Sequence, residues 1–130
     1  MLFRSQKASK QNTVLVAEDE EFNFLYIEEL LSEYEIQIIH AKNGKQAVEI
    51  CESNPSVSLV LMDIKMPIMD GFAATKKIRG LRPNLPIIAQ TAYALENEME
   101  LYKSVFNDYI TKPIDANIMK QKLMKYLPVK

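Results

Sequence analysis

A chain of 130 residues, 48% of them hydrophobic, has room for one domain with one sizeable core and is not disordered by composition. Its 16 basic and 17 acidic residues leave a net charge of -1, which argues against nucleic acid as a direct partner. The single Cys51 rules out an internal disulfide and fits a reducing compartment, and neither a membrane span of ~18 apolar residues nor an N-terminal signal core is present.

Residues 1–12 are polar and basic without periodicity, and they read as a linker or tail. Residues 13–130 then form the domain. From Thr13 onward, short apolar runs alternate with segments of helical spacing. Thr13–Ala17 is the first strand, and it runs directly into Glu18, Asp19 and Glu20. Ile27, Leu30, Leu31 and Tyr34 share one face of the first helix. Ile36–His40 is the second strand. Asn43-Gly44 marks a turn before a helix carrying Ala47, Val48 and Cys51, which Pro55 ends. Ser58–Met62 is the third strand, with Asp63 just past it at the start of a loop closed by Pro67 and Asp70-Gly71. Ala74, Ile78 and Leu81 define the third helix, and Pro86–Gln90 the fourth strand. Leu95, Met99 and Tyr102 suggest a polar helix over residues 94–104. Asp108–Thr111 is the fifth strand, and Ile114, Ile118 and Leu123 mark a last helix. The strands are rich in Val, Ile and Leu with little polar alternation, so both faces are covered. Five βα units in tandem predict a doubly wound parallel sheet with right-handed crossovers and helices on both faces.

In such a sheet the carboxyl ends of the strands converge on one crevice. Those ends offer Glu18 and Asp19, Asp63, Thr91 and Lys112. Hard carboxylate oxygens in a compact site suit Mg²⁺, which takes one or two carboxylates and keeps several waters. A cation also offsets the repulsion between neighbouring carboxylates. Asp63 lies between the metal side and the Thr91–Lys112 side, the place for a carboxylate nucleophile in phosphoryl transfer. Lys112 can bind one phosphoryl oxygen as a point charge, and Thr91 can donate a hydrogen bond to another.

Four stretches carry a resemblance: Val16-Ala17-Glu18-Asp19-Glu20, the loop Met62 to Gly71, Thr91-Ala92, and Tyr109-Ile110-Thr111-Lys112-Pro113. In this order, each after a strand, they resemble the receiver domain of two-component response regulators. The resemblance covers roughly residues 13–127. It implies a flavodoxin-like (βα)5 fold with strand order 2-1-3-4-5. It implies Asp63 as the phosphoacceptor, with Thr91 and Lys112 completing the catalytic set. The metal, Mg²⁺ or Mn²⁺, would be held by Glu18, Asp19, Asp63 and the backbone carbonyl of Lys65. Thr91 and Tyr109 match the switch pair, which would alter the surface of the fourth helix, fifth strand and fifth helix. The Lys112–Pro113 bond is typically cis in the family.

The implied phosphodonor is a partner phosphohistidine, on a histidine kinase or a histidine phosphotransfer protein. No enzyme activity beyond self-phosphorylation and self-dephosphorylation is implied, and no contact with nucleic acid or membrane. Family members often form weak homodimers. The Ala17-Glu18-Asp19 start, Ala41-Lys42-Asn43-Gly44 and Ile88-Ala89-Gln90-Thr91-Ala92 are most similar to the C-terminal receivers of hybrid sensor histidine kinases, so a cytoplasmic location is expected. Val105 stands where the family has a glycine closing the fourth helix, so that corner should be built differently. Lys65 should affect phosphate lifetime.

Plainer readings exist for single residues. Asp19 and Glu20 could merely cap the first helix. His40 reads as structural, Cys51 as core, and Met62, Met66 and Met69 as packing around the loop. Two further functions share the sheet. An aspartate-nucleophile phosphatase of the haloacid-dehalogenase type wants a second Asp two residues on, where Lys65 stands. A docking module without phosphorylation, such as a pseudo-receiver, would usually have lost one of the acid, Thr or Lys positions. A flavin phosphate would be repelled by Glu18 to Glu21.

Overall fold

The computed structural model describes residues 12–92 and 103–127. Along the chain run β1 (Asn12–Ala17), α1 (Glu21–Leu31), β2 (Ile36–Ala41), α2 (Gly44–Ser53), β3 (Val57–Asp63), α3 (Gly71–Leu81), β4 (Ile87–Thr91), β5 (Asp108–Thr111) and α4 (Ala116–Tyr126). The strands form one parallel sheet in the order β2-β1-β3-β4-β5, as the resemblance implies. The helix expected over residues 94–104 falls almost entirely outside the described residues, as does most of the N-terminal tail.

The central strands β1, β3 and β4 are buried along nearly their whole length, which is what apolar runs without polar alternation require. Alternate side chains feed two cores. Leu15, Val60, Met62, Ile87 and Ala89 pack with Ala47 and Cys51 of α2 and Ala74 and Ile78 of α3. Val14, Val16, Leu59, Leu61, Ile88 and Ile110 pack with Phe24, Ile27 and Leu31 of α1 and Met119 and Leu123 of α4. Met66 and Met69 pack against the first of these cores from the loop, and burial pushes the Cys51 thiol up to about 11. Such a thiol is inert filling.

Among the described residues, three helices start on side-chain caps. Asn43 accepts from the Gln46 amide at 2.8 Å, Asp70 from Ala73 at 2.8 Å, and Asp115 from Asn117 and Ile118 at 2.8 and 3.1 Å. Each such cap contributes about 1 kcal/mol. Helix α1 differs. Its N-cap position, Glu20, makes no side-chain cap bond. Glu20 thus occupies the cap position without serving as a side-chain cap, and the plainer reading keeps only its charge at the helix start.

Strand ends differ from the sequence reading by one residue in several places. The one that matters is β3, which runs through Asp63 because that residue pairs with Gln90 of β4. The phosphoacceptor candidate is therefore the last residue of a strand, not the first of a loop, and its backbone is fixed by the sheet. The corner at Val105 closes without a left-handed residue. Among the described residues Ile68 is the non-glycine with positive φ, at 71°. Arg79 of α3 donates instead to the Val105 carbonyl at 3.0 Å, and also to the Leu85 carbonyl and Asn107 Oδ1.

Candidate functional site

Each acidic residue of the crevice is delivered by the end of a strand. Glu18 follows β1. Its amide donates to the Ala41 carbonyl at 2.9 Å, and its own carbonyl lies 2.8 Å from His40 Nε2. A carbonyl only accepts, so His40 Nε2 carries the hydrogen. The His40 ring stacks on Phe24 of α1, with centroids 3.7 Å apart and planes 8° from parallel. Both ends of the Glu18 backbone are thus tied to β2. The carboxylate itself is fully buried.

Asp63 is fixed by the ladder and by two close approaches. A Cβ on Gly71 would meet the Asp63 carbonyl at 2.1 Å, and the Gly71 amide donates to the Ile64 carbonyl at 2.8 Å. A Cβ on Gly44 would meet the Met69 carbonyl at 2.2 Å, where the Gly44 amide donates at 2.9 Å. Both glycines are there because backbone passes where a side chain would stand. They hold the loop after β3 down onto α2 and onto its own strand.

Lys112 follows β5 and precedes a cis peptide bond to Pro113. Its amide donates to the Thr91 carbonyl at 2.8 Å. Its Nζ lies 3.2 Å from Asp63 Oδ2 and 3.3 Å from Glu18 Oε1. One oxygen from each of Glu18, Asp19 and Asp63 lies within 4.8 Å of the others. Of the residues expected at the site, the structure brings Glu18, Asp19, Asp63 and Lys112 together. Thr91 is buried at the end of the next strand, β4. Lys65 lies two residues into the loop with its side chain exposed. Tyr109 stands on β5 with its ring turned to solvent, 39% exposed.

The electrostatics are those of a crowded acidic pocket. Burial, and then the neighbouring Asp63 carboxyl, push the Glu18 carboxyl up to about 7, against the pull of Lys112. Burial works against the Lys112 charge, but Asp63 and Glu18 outweigh it and raise its pKa. Glu18 Oε1 is buried and accepts no hydrogen bond, although the Lys112 ammonium faces it. Clustered hard oxygens, one of them short of a partner, fit a divalent cation of the magnesium type.

Sequence reasoning found these four charges because each stands at or just past the carboxyl end of a strand. It missed the way His40 and the two glycines hold the acids in place. His40 is a lone histidine at a strand end, and nothing in the sequence says that its ring reaches the carbonyl of a residue 22 positions away.

A family model, Response regulator receiver domain, matches residues 14–124. The chain is 32% identical over 115 residues to the autoinducer 1 sensor kinase/phosphatase LuxN of Vibrio harveyi, covering 88% of this chain and 13% of that protein. It therefore spans a small part of that relative. Among solved structures, the receiver domain of the sensor histidine kinase PA1611 from Pseudomonas aeruginosa, with magnesium coordinated in its active site cleft, superposes with a TM-score of 0.82. Sequence identity is 31%, over 89% of this chain and 97% of that one. The receiver domain of Saccharomyces cerevisiae Ssk1, solved with the histidine phosphotransfer protein Ypd1, gives a TM-score of 0.81 at 27% identity, covering 89% and 88%. With four charges gathered at the carboxyl edge of a 2-1-3-4-5 sheet, and the family model spanning nearly all of it, this chain belongs to the response regulator receiver domains, the phosphorelay modules of two-component signalling.

Proposed function

We propose that Asp63 accepts a phosphoryl group from a partner phosphohistidine, with Glu18, Asp19, Asp63 and the Lys65 carbonyl as the ligands of Mg²⁺ or Mn²⁺. The observation that carries this reading is the Lys112 ammonium lying within 3.3 Å of both Glu18 and Asp63, with Asp19 in the same cluster. A bound cation would neutralise the crowded carboxylates and draw charge from phosphoryl oxygens.

The chain's own residues do the rest. Asp63 presents a carboxylate oxygen on a backbone fixed by β4 and Gly71, so little motion is lost when it attacks. Lys112 stands against the carboxylate where negative charge gathers in transfer. The Thr91 hydroxyl, at the end of the adjacent strand, donates to a phosphoryl oxygen and, by moving toward it, makes room for Tyr109. The outward Tyr109 ring is one state of that switch, and the inward ring is the other. The surface of β5, α4 and the segment before β5 changes with it.

Phe22, 90% exposed at the start of α1, and Ile68, 78% exposed in the loop after β3, lie on the segments that directly follow the acidic strand ends. Exposed apolar residues on these segments suit docking of a protein donor such as a histidine kinase or a histidine phosphotransfer protein. We place the domain in the cytoplasm as part of a sensor kinase. No helix among the described residues is long and apolar enough to cross a membrane.

Acetyl phosphate with Mg²⁺ should give a single phospho-adduct by mass, absent in Asp63→Asn and absent with chelator. The solvent exposure of Tyr109 should fall in the adduct. No adduct under conditions that trap short-lived acyl phosphates overturns the reading. Phe22→Ala should still label from acetyl phosphate yet slow transfer from a phosphorylated histidine phosphotransfer protein about tenfold. Equal slowing from both donors would place Phe22 in the fold and not in the docking surface.

A further inference from the structure

Gln90 is wholly buried, and neither polar atom of its carboxamide has a hydrogen-bond partner among the described residues. An amide left unpaired in the interior costs stability that an apolar residue of the same shape would not. The place where this cost falls is specific. Gln90 is the β4 residue paired with Asp63 of β3 on one side and Ile110 of β5 on the other. Strand alternation puts it on the same face as Ile88, Leu61 and Ile110, beneath α1 and α4. Asp63 follows Leu61 by two residues and Lys112 follows Ile110 by two, so both belong to that face.

Lys112 starts from the end of β5, yet its ammonium sits against Asp63 of β3 and Glu18 beyond β1. Strand β4 lies between β3 and β5. Neighbouring strands are about 4.8 Å apart. The stem of Lys112 therefore passes over the end of β4, whose last residue on that face of the sheet is Gln90.

We propose that Gln90 is a positioning residue for Lys112: its buried carboxamide is the polar floor of this crossing and supplies the ammonium with a neutral acceptor once Asp63 is an acyl phosphate. The inference rests on Asp63 being the phosphoacceptor. When Asp63 becomes an acyl phosphate, its negative charge passes to the phosphoryl oxygens, the carboxyl oxygen that faces Lys112 becomes a weaker acceptor, and one N–H of the ammonium is freed from it. Lys112 has three N–H donors. One meets the phosphoryl group, one is left to the Glu18 ion pair at 3.3 Å, and the third needs an acceptor on the β4 side. A carboxylate there would hold Lys112 back and repel Asp63. An apolar residue would give it nothing. A carboxamide oxygen accepts without adding charge, and it is unpaired until then.

Gln90→Met keeps length and volume and removes both polar atoms, and Gln90→Leu serves as a second variant should Met pack badly. The expected result is a higher melting temperature together with acetyl phosphate labelling slowed roughly three- to tenfold at saturating Mg²⁺. In wild-type protein bound to beryllofluoride, the Lys112 ammonium protons should give a slowly exchanging NMR signal. In the variant that signal should exchange faster. A role in packing alone predicts raised stability with unchanged labelling and an unchanged Lys112 signal, and that outcome overturns the proposal. Wild-type protein that forms no adduct would instead overturn the assignment of Asp63, so the two failures are told apart.

Discussion

The sheet carries a charged cluster at each end, built from the same residue types and behaving oppositely. At the amino end of β5, Asp108 accepts from Lys122 Nζ at 2.9 Å, the Tyr109 amide at 2.8 Å and the Tyr126 hydroxyl at 3.0 Å. Burial works to raise its pKa, but these donors outweigh it and hold the carboxyl below its ordinary value. At the carboxyl edge, Glu18 is pushed up to about 7 and keeps one oxygen without a hydrogen bond. The first cluster is finished and stabilises the fold. The second leaves a buried carboxyl oxygen without a hydrogen bond beside two further carboxylates, which is the arrangement the proposed cation site requires. Perturbation by itself does not mark a functional site; here its direction separates the two.

The sharpest way to break the carboxyl edge is through its backbone. Gly71→Ala drives a Cβ to 2.1 Å from the Asp63 carbonyl, and backbone cannot yield as a side-chain tip can. We expect a loss of about 3 kcal/mol in urea unfolding, with slower labelling by acetyl phosphate. Wild-type stability would mean that the loop after β3 shifts freely, and the fixed Asp63 backbone would be an error.

The next test sets the two clusters against each other. Asp108→Asn should cost about 2 kcal/mol, because it leaves Lys122 and the Tyr126 hydroxyl facing a weaker acceptor. Glu18→Gln should have the opposite sign in chelated protein at pH 8. It removes a buried charge from beside Asp63 and leaves Lys112 paired with Asp63 alone. The same variant should weaken Mg²⁺ binding by titration calorimetry. Two destabilisations of equal size would erase the distinction between the clusters.

The Asp108 arm carries a pH signature. Its folded pKa lies below the ordinary 3.8, so its contribution is present above 3.8 and is lost as pH falls through the lower folded value. The gap between wild-type and Asp108→Asn melting temperatures should be constant near neutrality and close only in acid below 3.8. A gap that closes between pH 5 and 7 would assign the effect to another group.

How legible this was from sequence depended on reach. Glu18, Asp63 and Lys112 each stand at or just past the end of a strand, and period and punctuation locate strands. The limits of β5 were read without error, and β3 fell one residue short at each end, because the ladder that extends it to Asp63 depends on β4. Gly71 was read as a turn residue, whereas its necessity comes from Asp63 passing within a Cβ's distance. The carboxamide of Gln90 sat inside a recognised stretch and drew no notice, because its lack of partners is a property of packing. The Arg79 clasp on Val105, Leu85 and Asn107 joins stretches up to 28 residues apart. None of this has a local signal.

His40 gives the smallest effect and the cleanest separation of holding a site from being part of it. Its ring does two things, stacking on Phe24 and donating to the Glu18 carbonyl. His40→Phe retains a flat ring for the stack and removes the donor. The carbonyl then loses one hydrogen bond at a partly buried position, about 1 kcal/mol in unfolding. Because Glu18 stays tied to β2 through its amide at 2.9 Å, the acid is loosened and not released, and Mg²⁺ affinity should fall by less than about tenfold. His40→Gln, which restores a donor without the stack, should recover the metal affinity but not all of the stability. If both variants lose affinity in proportion to stability, His40 acts on the fold as a whole, and the acidic edge is held by its strands alone.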